Sequence, residues 1–250
     1  MVLELIIAAT VLVSLLSLVG LALFALSDKK IGLVMFLLVS FSTGAILGAG
    51  FFDLLPEAVE KIGTAVALQI AFIGIMVSFV IEKIIHWRHH HHLDHSHEGK
   101  RKHPLGLLTL VGDSIHNFLD GVTISAAFIA SVPLGITATF AVVCHEIPHE
   151  IGNFTLLLYS GYSRKTALFF NFLTALTAVA GGLLFFFFSS AVQNFESIAL
   201  AFAAGTFIYI AGADLIPELH KEKDVKNSVV QFSAIMIGAA LVLLITNSLQ

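Results

Sequence analysis

Long apolar runs separated by brief polar breaks dominate this chain. A helix that crosses a bilayer needs ~20 mostly apolar residues. By that measure the pattern predicts eight spans, at about 3–26, 31–58, 64–87, 104–130, 134–160, 166–190, 194–219 and 226–249. The breaks are short: Ser27-Asp28-Lys29-Lys30, Glu60-Lys61, Ser131-Val132-Pro133, Ser163-Arg164-Lys165, Gln193-Asn194 and Lys221 to Asn227. One longer interruption runs from Arg88 to His103. The first run opens at Glu4 without a basic leader or a cleavage pattern, so it reads as a retained span and not as a signal peptide.

Composition agrees with lipid as the solvent. The chain is 57% hydrophobic and 12% charged, with a mean hydropathy of +0.94, whereas soluble domains are ~25% charged. One cysteine excludes a disulfide framework and a multi-cysteine metal site. The net charge of -4 decides little, and the absence of a basic, aromatic-rich patch excludes nucleic acid as a partner. Placement of charge is more informative. An even span count puts both termini on one side, and twelve of the thirteen Lys and Arg residues fall in alternate connections, leaving Lys61 alone opposite. Cytoplasmic loops are rich in Lys and Arg. The expectation is a single transmembrane domain over 1–250 in the cell membrane. Its termini are extracellular or periplasmic, and its 88–103 loop is cytoplasmic.

The second and seventh spans end alike. Gly44 and Asp53-Leu54-Leu55-Pro56-Glu57 recur as Gly205 and Asp214-Leu215-Ile216-Pro217-Glu218 at a constant offset of 161 residues. Spans five apart cross the membrane in opposite directions, so the pattern predicts an inverted repeat, spans 1–3 against 6–8, around central spans 4 and 5. Such repeats mark transporters, whose related halves exchange which side is open. Acids at helix ends are ordinary interfacial residues when taken singly. As a matched pair they predict cation stations: Asp53 and Glu57 at the outer mouth, and Asp214, Glu218 and His220 at the inner one. Each proline also removes a backbone donor beside the acids.

Spans 4 and 5 carry a polar cluster at their centres. Span 4 has Asp113, His116, Asn117 and Asp120, and span 5 has His145, Glu146, Pro148, His149, Glu150 and Asn153. Residues four apart share a helix face, which stacks His116 over Asp120 and His145 over His149. A carboxylate at a span centre costs ~2.5–3.5 kcal/mol, so Asp120, Glu146 and Glu150 together would cost roughly 8–10 kcal/mol without a compensating ligand. Mixed imidazole and carboxylate suits Zn, Fe, Mn, Ni or Co, whereas Ca and Mg favour oxygen alone.

The segments His116-Asn117-Phe118-Leu119-Asp120-Gly121 and Cys144-His145-Glu146-Ile147-Pro148-His149-Glu150-Ile151-Gly152-Asn153 resemble the fourth- and fifth-helix signatures of the ZIP family of metal-ion transporters, in particular the subgroup with His-Glu-x-Pro-His-Glu. The resemblance extends over the whole chain. It implies a main ion site of His116, Asp120, His145 and His149, with a neighbouring site that uses Asn117 and Glu146 and shares Asp120 and His149. It also implies a homodimer and rigid-body alternating access. In some relatives an acid on the sixth helix completes the second site; here span 6 has no Asp or Glu, and Asn171 is the nearest candidate. Asn153 stands where the subgroup has Asp.

His145-Glu146-x-x-His149 also matches a zinc-protease signature, and Leu119-Asp120-Gly121 mimics the ligand segment of intramembrane metalloproteases. In those enzymes the Asp segment follows the His-Glu motif, whereas here it precedes it, and Pro148 disrupts the regular helix the motif needs. A metal-gated channel or sensor is a third reading, disfavoured because conduction needs weak sites. The expected protein is therefore no enzyme. It is an all-helical carrier of a divalent transition metal, zinc first and Fe2+, Mn2+ or Cd2+ as alternatives, that holds the ion as cargo and has no separate cofactor. The ion moves inward past Asp113, Asp214, Glu218 and His220. His89, His90, His91, His92, His95 and His97 in the cytoplasmic loop would buffer it on arrival.

Overall fold

The computed structural model describes residues 1–19, 28–91, 104–191 and 193–249. Among these residues there is no strand; helices account for nearly all of them. Helix α1 (Val2–Leu16) is followed by α2 (Asp28–Gly48), which passes through a π-turn (Ala49–Leu54) into α3 (Leu55–Ile62). Helices α4 (Thr64–His91), α5 (Pro104–Ala130) and α6 (Val132–Tyr159) come next. Then α7 (Arg164–Ala175) and α8 (Thr177–Phe188) run nearly end to end. Helix α9 (Phe195–Ile210) continues through a second π-turn (Ala211–Leu215) into α10 (Ile216–Leu219), and α11 (Val225–Leu249) closes the chain.

Six of these stretches are long and apolar enough to cross a membrane: Val2–Val19, Leu33–Ile62, Thr64–Ile84, Arg164–Ala191, Phe195–Leu219 and Val225–Ser248. Helices α5 and α6 have the length, at 27 and 28 residues, but their polar centres lower their hydropathy. The expected His92, His95 and His97, and the loop from 92 onward, lie outside the described residues. His89, His90 and His91 are described only as the last backbone turn of α4.

Local chemistry explains the boundaries. Gly63, with φ of 81°, separates α3 from α4. Ser131 and Ser163 start α6 and α7 by accepting from the backbone N–H of Leu134 and Thr166. Pro56 and Pro217 lie in the first turns of α3 and α10, where a missing N–H is tolerated. Span 6, expected as one helix, is broken at Leu176. Just after the break the Thr177 hydroxyl bonds back to the Thr174 carbonyl at 2.6 Å, in competition with the regular ladder.

Small residues let backbones touch where helices cross. A Cβ on Gly44 would lie 1.9 Å from the carbonyl oxygen of Ile235 on α11, and one on Gly205 would lie 2.0 Å from that of Ala71 on α4. Gly74 meets the Phe202 carbonyl and Gly238 meets the Phe41 carbonyl in the same way, at 2.3 and 2.2 Å. These contacts bind α2 to α11 and α4 to α9. Separately, Gly121 on α5 and Gly181 on α8 abut Ala178 and Phe118, Gly182 abuts Thr10 on α1, and Gly135 on α6 abuts Phe128 on α5. Association between helices in lipid relies on such packing, because lipid tails are as apolar as side chains.

Gly205→Ala is therefore expected to lower the melting temperature of the detergent-solubilised protein, by an overpacking effect of about 1–3 kcal/mol. Gly152→Ala, where no atom lies within 4 Å of the added Cβ, is expected to leave it unchanged. Equal melting temperatures for the two variants would contradict the packing account.

Candidate metal centre

Near the middle of the bundle, α5 and α6 bring four ligand-type side chains together. His116, Asp120, His145 and Glu146 each offer an atom within 4.8 Å of the others. His116 Nε2 is 3.2 Å from His145 Nε2 and 3.1 Å from Glu146 Oε1, and His145 Nε2 is 3.1 Å from Asp120 Oδ2. The longer separations are 3.7 Å (His145 to Glu146) and 3.8 Å (His116 to Asp120). A tetrahedron with bonds of ~2.0–2.1 Å has edges of about 3.3–3.4 Å, the size that zinc with imidazole and carboxylate ligands requires. The five separations bracket that edge. His145 Nδ1 donates to the Ala141 carbonyl at 3.1 Å, which fixes the tautomer and leaves Nε2 with its lone pair toward the cluster.

Not every expected ligand joins. His149 is half-exposed; its ring stacks on His116 at 4.4 Å, and its Nδ1 is 3.7 Å from both Glu146 and Asp113. It therefore borders the cluster. Asn117 turns to Asp113, donating to Oδ1 at 3.1 Å. Glu150, fully buried, faces α7 and accepts from Asn171, which also donates to the Ser17 carbonyl at 3.3 Å. Asn171, the nearest candidate on span 6 for a second ion site, thus holds an acid of α6. One buried oxygen each of Asn117, Glu150 and Asn171, and Oε2 of Glu146, have no hydrogen-bond partner. In a dry interior each such group is costly, and a cation is one way to satisfy it.

Asp113, expected on the way out, is the hub of a buried network. It accepts from Asn153 at 2.7 Å, from Asn117, and from Thr174 in the last turn of α7. The apolar run of span 6 gave no sign of that last donor.

A cavity of about 520 Å³ opens on His116, His145 and His149 and extends to Asp214 and Glu218. Glu82 also lines it, accepting from the Tyr209 hydroxyl at 2.5 Å. Glu82 belongs to none of the motifs that the sequence singles out. Asp214, Glu218 and His220 are exposed, and Glu218 pairs with Lys221. At the other repeat motif Asp53 is buried and accepts from Thr246 at 2.7 Å, while Glu57 lies 4.0 Å from Lys61. Neither lines the cavity. A second, apolar cavity of about 530 Å³ lies between α4, α5, α8 and α9, with Phe118, Phe185 and Phe202 in its wall and Asp120 at its edge. The two cavities share Leu119 and Thr206.

Together these features define a multi-pass helical membrane protein whose interior carries a candidate transition-metal centre. A family profile described as ZIP zinc transporter matches residues 2–105 and 88–246, and the chain belongs to that family. It is similar to zinc transporter ZIP13 of Pongo abelii, 32% identical over 226 residues, which are 83% of this chain and 65% of that protein. Human zinc transporter ZIP10 is 36% identical over 184 residues, 66% of this chain and 22% of that protein. Zinc transporter zipt-7.2 of Caenorhabditis elegans is 42% identical over 142 residues, 55% and 31%. The chain thus spans less than two thirds of each relative's length.

Thr174→Val keeps the shape but removes a donor from Asp113. It is expected to destabilise the protein by about 1–3 kcal/mol, the range for stranding a buried acceptor. Thermal denaturation in detergent measures this, and a melting temperature matching wild type would contradict the assigned network.

Proposed function

We propose that this chain carries a divalent transition metal, zinc in the first instance, across a membrane into the cytoplasm by alternating access, using eight spans arranged as an inverted repeat. The observation that carries the proposal is the cluster of two imidazoles and two carboxylates at tetrahedral spacing, joined to an acid-lined cavity. The family, and the zinc transport named for its relatives, point the same way.

Several features support the finer reading. The two π-turns end on Asp53-Leu54 and Asp214-Leu215, at the 161-residue offset of the sequence repeat. The contacts of Gly44 with Ile235 and Gly205 with Ala71 correspond, as do those of Phe41 with Gly238 and Phe202 with Gly74, at an offset of 161 residues between α2 and α9 and of 164 between α4 and α11. An inverted repeat accounts for both. The crowded glycine contacts hold α2 to α11 and α4 to α9 on one side, and link α1, α5, α6 and α8 on the other. Both cavities lie along the seam between them. That division favours rigid-body motion of one group against the other, carrying the ion. With the Lys-rich side cytoplasmic, the form described here has its centre open toward Asp214 and Glu218 and closed beside Asp53 and Glu57. The partner-free oxygens of Asn117, Glu146, Glu150 and Asn171 support a second cation position beside the first. The homodimer is the assembly that goes with the family.

The protease reading fits less well. It requires His145 and His149 to grip one ion with Glu146 as base, whereas His145 pairs with His116 and Asp120 and His149 lies at the border.

Proteoliposomes loaded with a zinc-sensitive dye are expected to take up zinc with wild-type protein, and to lose most of that uptake with His145→Ala or Asp120→Ala. Removing a ligand of this kind typically costs far more than the 10- to 100-fold associated with an outer partner. Equal uptake by all three proteins would overturn the site. Competition with Fe2+, Mn2+ and Cd2+ in the same assay ranks the cargo.

A further inference from the structure

Proline at position 148 removes the N–H that would bond to the carbonyl four residues earlier, that of Cys144. This carbonyl belongs to the peptide unit that leads into His145 and Glu146. It lies deep in the bundle, where an unmet backbone acceptor is expensive. The structure meets it from another helix: Ser42 on α2 donates its hydroxyl to the Cys144 carbonyl oxygen at 2.5 Å. Ser42 is fully buried, and its behaviour differs from that of its neighbours. Ser40 and Thr43 bond back to carbonyls of their own helix, Phe36 and Val39, both at 2.7 Å. That local bond is the ordinary choice for a buried hydroxyl on a helix. The Ser42 bond also crosses the seam between the two glycine-packed groups, linking α2 to the helix that carries half of the candidate ligands.

We propose that Ser42 is a positioning residue for the metal centre: its hydroxyl takes the place of the backbone donor missing at Pro148 and fixes the peptide that aims His145 and Glu146. The proposal rests on those two residues being ligands. It makes Ser42 and Pro148 a complementary pair. A hydroxyl is needed on α2 because the proline is present on α6, and the bond forms only in an arrangement of the two groups that brings α2 against α6.

The test is a double-substitution cycle on the full chain in detergent micelles, read by isothermal titration with zinc chloride. Ser42→Ala is expected to raise the zinc Kd by about fivefold or more, as for loss of one buried hydrogen bond. Ser42→Thr, which keeps the hydroxyl, is expected to stay within about twofold of wild type. Pro148→Ala restores an N–H within reach of the Cys144 carbonyl, so Ser42→Ala in that background is expected to change Kd by less than about twofold. Equal effects of Ser42→Ala in both backgrounds, or no effect in either, would overturn the proposal. Should Ser42→Ala alone fail to fold, a double variant that folds and binds zinc supports the pairing, and one that fails equally overturns it. His145→Ala serves as the reference. If it binds zinc as wild type does, the site reading itself is wrong; if it loses zinc while the cycle is additive, only the role of Ser42 falls.

Discussion

In hydrocarbon every polar group must find its partner inside the protein. That constraint governs α5 and α6 first. Glu146 and Glu150 are fully buried, and Asp113, Asp120 and His145 nearly so. None of them could face lipid without a penalty of several kcal/mol. The other helices accordingly enclose this pair. The price is met with donors drawn from around the bundle: Thr174 and Asn171 from α7, Asn153 nearby, Ser42 from α2. What these donors leave over is a set of four ligand atoms facing one another with no lysine or arginine among them, an arrangement whose remaining demand is for a cation.

Enclosing charged helices in this way needs close packing, and close packing in lipid needs small residues. The glycine contacts of α2 with α11 and α4 with α9 bring backbones together without a hydrophobic drive between them. Among the described residues no crowded glycine contact joins these helices to α1, α5, α6 or α8, and both cavities lie between the two sets. The prolines act by the complementary route, since each removes a backbone donor and leaves a place where the helix can turn or be held from outside. At Pro56 and Pro217 the helices meet this with π-turns just upstream, and at Pro148 a side chain from another helix supplies the donor.

Much of this was legible in the order of residues. Length and hydropathy locate the helices to within a few positions, because the bilayer imposes one length on them all. The His-Asp and His-His spacings identify three of the four clustered residues through simple i, i+4 geometry, and Glu146 through its place beside them. What could not be read was mostly tertiary. Whether His149 points into the cluster or stacks on its edge depends on the turn of α6 around Pro148. That Asp113 anchors a network and does not stand free depends on Thr174 of α7 and Asn153 of α6, which no local spacing places beside it. Glu82 stands in no recognisable motif, and only its bond to Tyr209 ties it to the cavity wall. Ser42 gave no local signal at all, since a serine in a helix ordinarily bonds to its own backbone.

The central claim is that His116, Asp120, His145 and Glu146 form the first coordination sphere of a bound transition metal. X-ray absorption at the zinc edge on the zinc-loaded protein tests it most directly. The account predicts four light N and O scatterers at ~2.0–2.1 Å, with the outer-shell pattern of two imidazoles falling to one in His145→Ala. A sulfur scatterer at ~2.3 Å, or an imidazole count unchanged by His145→Ala, would contradict it.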